Sequence, residues 1–167
     1  TEAYYSLANI FVNQNQLKKA VIIYKKLIEI QPNIWENYHN LGNILIEQEN
    51  FSEGISALYY AIKLNPSSSI SYLKLAEILA KSGKLSEAIN AYQKVIFIDP
   101  NLAEAYQYLG DILRNKGEKE EAIKVYRKAI EIQPQLWTVH HKLGSLFQET
   151  EKLEAATNAY RKSIELN

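Results

Sequence analysis

At 167 residues, 47% hydrophobic and 23% charged, with 19 basic side chains against 19 acidic ones, the chain has an ordinary soluble globular composition and no net field to draw nucleic acid, an anionic membrane or an acidic partner. The absence of cysteine excludes disulfides, thiolate metal sites and a cysteine nucleophile, and it fits a reducing compartment, so a cytoplasmic location is expected. No apolar run reaches the ~18 residues that a membrane-spanning helix needs, and no signal peptide or lipidation motif is visible.

In chain order, the first 34 residues read as a helix near Glu2 to Gln14, a turn, and a second helix near Leu17 to Gln31 that stops at Pro32. Lys18, Lys19, Lys25 and Lys26 stand against Glu2 and Glu29, mostly on the second helix, where they read as a solvated face. The next segment is acidic, with Lys63 facing Glu36, Glu47, Glu49 and Glu53. Asn33 with Glu36, Asn50 with Glu53, and later Asn101 with Glu104 have the spacing of capping pairs at helix starts. The Ser67-Ser68-Ser69 run is too short for a domain linker and reads as another helix start.

The stretch from Ala103 to Leu136 gives the pattern most plainly. Tyr106, Leu109, Ile112 and Leu113 form one helical stripe that ends at Asn115-Lys116-Gly117, where glycine supplies a positive φ. A second stripe of Ala122, Ile123, Val125, Tyr126, Ala129, Ile130 and Ile132 carries acids early and bases late, as the helix dipole favours, and meets Pro134. Pro32, Pro66, Pro100 and Pro134 are the only prolines and fall 34 residues apart. Counted in that register from Thr1, position 7 is Leu7, Leu41, Leu75, Leu109 and Leu143; position 8 is Ala8, Gly42, Ala76, Gly110 and Gly144; position 20 is Ala20, Gly54, Ala88, Ala122 and Ala156. Helix axes ~8–10 Å apart leave room for little beyond Gly or Ala at positions 8 and 20. Position 24 (Tyr24, Leu58, Tyr92, Tyr126, Tyr160) then fills the space between helices together with Leu7 and its equivalents.

These residues resemble the tetratricopeptide repeat, a helix-turn-helix of 34 residues with an aromatic at position 4, Leu at 7, small residues at 8 and 20, an aromatic at 24, Ala at 27 and Pro at 32. The resemblance covers the whole chain as five repeats, 1–34, 35–68, 69–102, 103–136 and 137–167. It implies an all-α, right-handed superhelical α-solenoid forming a single repeat domain, here expected to be a piece of a longer protein. Departures are His140 in the aromatic slot at position 4, Lys119 at position 17, where looser packing is expected, and Leu27, Val95 and Ser163 at position 27.

No HExxH, GxSxG, GxGxxG or phosphate-loop pattern occurs, and the acids lie at helix-surface spacing, so no catalysis, metal or cofactor is expected. The resemblance implies a concave groove lined by the first helix of each repeat. Position 5 then gives Tyr5, His39, Leu73, Gln107 and His141; position 6 adds Asn40, Lys74, Tyr108 and Lys142; position 9 adds Asn9, Asn43, Glu77 and Asp111; position 12 adds Arg114. That mixture of amide, aromatic and charged groups suits an extended protein or peptide segment. The family's carboxylate clamp is only partly matched, by Asn9, Asn40 and Lys74, with Tyr5 and Ile70 replacing bases. The asparagine ladder found in the family's glycosyltransferase arms begins with Asn9, Asn40 and Asn43 and is then broken. On the convex side, positions 25 and 26 are polar in every repeat but the second, where they are Tyr59 and Tyr60, and Phe97 stands at position 29 of the third; these three aromatics make a candidate contact patch. The expected function is a protein-interaction scaffold. The alternatives are a substrate-presenting arm of a larger enzyme, or a self-assembly module using that patch or the uncapped C-terminal helix.

Overall fold

The computed structural model describes all residues, 1–167, and contains ten helices and no strand: α1 (Glu2–Asn13), α2 (Leu17–Ile30), α3 (Trp35–Glu47), α4 (Phe51–Leu64), α5 (Ser69–Lys81), α6 (Leu85–Ile98), α7 (Ala103–Asn115), α8 (Lys119–Ile132), α9 (Trp137–Glu149) and α10 (Leu153–Leu166). They form two compact units, Thr1–Lys84 with α1 to α5 and Leu85–Asn167 with α6 to α10. In the first unit, α1 pairs with α2 and α3 with α4, while α2 packs on α3 and α4 on α5. In the second, α7 pairs with α8 and α9 with α10, while α6 packs on α7 and α8 on α9.

Small residues set the closeness of each helix pair. Ala8 and Ala20 are fully buried in the first pair. In the second, a Cβ on Gly42 would meet the Gly54 carbonyl oxygen at 3.0 Å, so the two backbones touch directly. In the fourth and fifth, Cβ atoms on Gly110 and Gly144 would fall 2.6 Å from the Tyr126 ring and 2.8 Å from the Tyr160 ring. Position 7 is buried in Leu41, Leu75, Leu109 and Leu143, while Leu7 is 37% exposed.

Each helix pair turns through a left-handed residue at the same place. Asn15, Glu49, Gly83, Gly117 and Glu151 all stand at position 15, with φ between 55° and 82°. Glycine and asparagine accept this conformation readily; glutamate does so with strain.

The capping pairs read from the sequence are not formed. The N-cap residues are Ile34 and Leu102 rather than Asn33 and Asn101, and Asn50, although it is an N-cap, makes no side-chain cap bond. The cap falls at position 34, which is apolar in Ile34, Leu102 and Leu136, so the polar residue before it lies outside the helix. Ser68 is the exception: its hydroxyl accepts from the Ser71 N–H. Asn65 and Asp99 act further upstream, where their side-chain oxygens accept from the backbone N–H groups of Ser67 and Asn101 and so shape the turn. His140 keeps the role of its slot by a different atom: its Nε2 lies 3.0 Å from the Pro134 carbonyl, as the Tyr106 hydroxyl lies 3.1 Å from that of Pro100. Lys119 is an ion-pair partner of Glu149 at 3.2 Å, at a position where Leu153 and Phe51 are themselves exposed.

Two stability outcomes follow from this packing. Gly110→Ala should lower unfolding free energy by ~1–3 kcal/mol in a urea titration, because the buried Tyr126 ring is held in place and the ~1 kcal/mol helix-propensity gain does not offset the clash. Glu49→Gly should raise it by ~0.5–1 kcal/mol, since relief of the left-handed strain exceeds the added chain entropy.

Candidate functional site

The residues of the candidate groove fall on the first helices, and in the first unit they are joined across repeats by uncharged hydrogen bonds. The Tyr5 hydroxyl donates to Asn37 Oδ1 at 2.7 Å, linking α1 to α3. His39 links α3 to α5: its Nδ1 lies 3.1 Å from Ser71 Oγ and its Nε2 lies 2.9 Å from Asn43 Nδ2. Ser71 Oγ is in turn 2.9 Å from Ser68 Oγ, so the cap of α5 and the inter-helix bridge are one network. Trp35 packs edge-on against His39, with ring centroids 6.0 Å apart. The Tyr24 phenol is raised above its ordinary value chiefly by burial and then by nearby Tyr5, with Asn40 opposing. Lys74 and Glu77 pair with each other at 3.3 Å. Asn9 is exposed and engages no partner.

The second unit uses charges where the first uses amides. Asp111 accepts from the Tyr126 hydroxyl at 2.5 Å and from Lys142 Nζ at 2.7 Å, so one carboxylate ties the Tyr126 of its own hairpin to the next first helix. Burial, followed by that bond, pushes the Tyr126 phenol far above its ordinary value. Arg114 donates to Ser145 Oγ at 2.9 Å and pairs with Glu149, which also takes Lys119. Arg114 first and Lys119 second hold the Glu149 carboxyl below the usual carboxylate range. His141 packs edge-on against Tyr160, and Tyr108 stacks on Tyr92. Three of the predicted groove residues, Asp111, Arg114 and Lys142, are thus committed to one another's helices. Of the aromatic patch, Tyr59 and Tyr60 lie in the first unit at 47% and 56% exposure, and Phe97 lies in the second at 84%.

Sequence reasoning missed position 3. Asn37 and Ser71 are fully buried there, where the other repeats carry Ala3, Ala105 and Val139. The signal was present as a polar residue in an apolar slot, in step with a hydrogen-bonding residue at position 5 one repeat earlier. Glu149, at position 13, was also missed. No group of three or more His, Asp or Glu side chains is placed to hold a metal ion. No helix is long and apolar enough to cross a membrane.

His39 carries a pH dependence. Burial first, then the Lys74 charge, lowers its pKa, with Glu36 opposing. As pH falls through ~6.5 the unfolded chain takes up a proton that the folded one resists, so stability falls until pH reaches the depressed folded value. Urea midpoints of the wild type should therefore drop between about pH 7.5 and pH 5.5. His39→Gln, which keeps the hydrogen-bonding groups without titrating, should show a smaller drop.

A sequence profile described as tetratricopeptide repeat matches residues 1–34, 36–68 and 138–167, and one described as TPR repeat matches 77–113 and 110–151. No curated protein sequence matches. Among solved structures, a crystal structure of MamA superposes with a TM-score of 0.90 over 95% of this chain and 93% of its own, at 24% identity. A MamA fragment from Desulfovibrio magneticus RS-1 does so at 0.88 over 99% and 93%, with 19% identity. YrrB, described as a TPR protein with an unusual peptide-binding site, gives 0.82 over 98% and 84%, with 22% identity. At these identities the likeness is one of fold, an all-α solenoid of helix-turn-helix repeats. With the repeat profiles matching all but residues 35 and 69–76 and the small-residue hairpin contacts in place, the chain belongs to the tetratricopeptide repeat family.

Proposed function

We propose that this protein is an interaction scaffold that binds an extended, largely uncharged peptide segment on the first-helix face of its first unit. The observation that carries the reading is the contrast between the two units. In the second, Asp111, Arg114 and Lys142 are drawn into ion pairs between adjacent helices. In the first, the face is amide-rich, its charges Lys74 and Glu77 neutralise each other, and Asn9 is free to bond a ligand.

An asparagine side chain offers both a donor and an acceptor, so it can bond the N–H and C=O of a passing backbone without regard to the ligand's side chains. Helices supply a rigid base for such groups, which limits the ordering cost on the protein's side when a segment docks. Tyr5, His39 and Trp35 add apolar area beside the amides. The peptide-binding description of YrrB agrees with this mode of use, though it belongs to that protein. The pairing of Lys74 with Glu77 disfavours a C-terminal carboxylate as the ligand.

The test uses peptides selected on the wild-type chain from a displayed library of random dodecamers, with Trp35 fluorescence as the readout. Asn9→Ala and Asn40→Ala should each weaken binding about tenfold, the loss of one or two hydrogen bonds. Affinity should change little between about 0.05 and 0.5 M salt. The reading would be sunk if no enriched clone lost affinity on either substitution, or if the clones that did showed a steep salt dependence.

A further inference from the structure

The outer side of the second repeat departs from its siblings in a way that changes what it can bind. In three of the five repeats positions 26 and 29 form an ion pair one turn apart on the exposed side of the second helix: Lys26–Glu29 at 2.7 Å, Lys128–Glu131 at 2.5 Å and Lys162–Glu165 at 3.0 Å. In the second repeat Tyr60 replaces the lysine and Lys63 replaces the glutamate, which leaves Lys63 without a carboxylate partner.

Tyr60 is instead drawn to an aromatic. Its ring stacks on that of Tyr38, with centroids 5.7 Å apart and planes at 22°. The two rings wall a hollow of about 260 Å³ that is floored by Leu41 and Leu45 of α3 and rimmed by Lys25 of α2 and Glu53 of α4. A second hollow of about 300 Å³, lined by Ser56, Tyr59, Tyr60 and Lys63, shares Ser56 and Tyr60 with it, so the two form one trough along α4. The rim cations are available. Lys63 has no acid, and Lys25 is 3.9 Å from Glu53 with both side chains more than half exposed, a weak pair in water.

The second unit supplies an internal control. Its hollow at the same repeat positions is lined by Arg127, His140, Leu143, Phe147 and Lys162. There Arg127 lies over the Phe147 ring at 5.5 Å, covering the floor, and Lys162 is engaged by Glu165. The hollow of the fifth repeat thus lacks the tyrosine at position 26 and the open floor, and its cations are engaged, whereas at the second repeat Lys63 is unpaired and Lys25 is only weakly paired.

We propose that this trough is a second docking site, for an acidic protein segment that carries one bulky apolar side chain. The apolar group would lie over the leucine floor beside the stacked Tyr38 and Tyr60 rings, where aromatic walls give contact area at low entropy cost, and the flanking carboxylates would meet Lys25 and Lys63. The trough is built by α2, α4 and the Tyr38, Leu41 and Leu45 side chains of α3, and the amide face by other residues of α1, α3 and α5, so one chain can hold both ligands.

The experiment selects displayed random dodecapeptides on the chain carrying Asn9→Ala and Asn40→Ala, so that the first-helix face is silent. Enriched clones are then measured against two further variants, Tyr60→Lys and Lys63→Glu. Neither threatens folding: lysine is the residue at position 26 of the other four repeats, and Lys63→Glu together with Tyr60→Lys restores their ion pair. The expected result is clones that set Asp or Glu beside Leu, Ile or Phe, lose at least tenfold in affinity with either variant, and weaken as salt rises. Absence of enriched clones, clones indifferent to Tyr60→Lys, or clones rich in Lys and Arg would overturn the proposal. A particle mass in light scattering that falls on Tyr60→Lys would overturn it too, by assigning the trough to a second copy of the chain. None of these failures bears on the amide face, which is read on wild-type protein with its own clones.

Discussion

Everything in this structure depends on two helices of a hairpin approaching until only a hydrogen or a methyl group fits between them. At Gly42 and Gly54 the backbones themselves are in contact, and at Gly110 the glycine makes room for a tyrosine ring. Close approach lets the larger residue at position 24 be enclosed: Tyr24, Leu58, Tyr92 and Tyr126 are all buried. Interiors so packed resist both gain and loss of volume, which is why a single methylene is felt. The tyrosine at position 24 also carries a hydroxyl that needs a partner, and it finds one on the first-helix surface, in Asp111 for Tyr126 and in Gln148 for Tyr160. The core and the candidate binding face are thus joined through single side chains.

Most of the fold is legible in the amino-acid sequence. The proline spacing, the small residues at positions 8 and 20, and the apolar stripes fix where helices stop and which faces meet. The helix bounds of the first repeat, Glu2–Asn13 and Leu17–Ile30, agree with the periodicity to within a residue. What could not be read were features that depend on one residue of register or on a neighbour far along the chain. The pairs at Asn33 and Asn101 failed because the cap position is held by Ile34 and Leu102, whose side chains are half-buried, and a polar residue one step earlier has no helix N–H in reach; Asn50 holds the cap position and makes no side-chain bond there. The inter-repeat bonds were invisible for a different reason: Tyr5 with Asn37 and His39 with Ser71 are 32 residues apart, and nothing local marks them. At the candidate site, membership of the face was legible from the repeat register, whereas the pairing that engages Asp111, Arg114 and Lys142 was not.

The two units solve the same packing problem with different chemistry. Between α1, α3 and α5 the polar links are amide, hydroxyl and neutral imidazole, which are short-ranged and indifferent to salt. Between α7 and α9 they are carboxylates with Lys and Arg, partly exposed and open to screening. Arg114, Lys119 and Lys142 pair with Asp111 and Glu149, and Lys152 with Glu120, so the second unit's charges are engaged with one another from repeat to repeat. The first unit's outer side is the reverse: a site where the usual neutralising pair has been removed and replaced by aromatic surface and a lone cation.

The hydrogen bonds and ion pairs that run between repeats have a consequence for how such a chain can be built. Repeats of one length and one packing register look like interchangeable bricks. Here three of the four junctions are locked by side chains with one half in each repeat: Tyr5 needs an Asn37, His39 a Ser71, and in the last junction Asp111 a Lys142 and Arg114 a Ser145. The order of the repeats is written in these side chains. A permuted or duplicated array would keep its apolar core and strand its polar groups at the new junctions, so the lineage of this chain is free to drift within a repeat far more than it is free to reorder them.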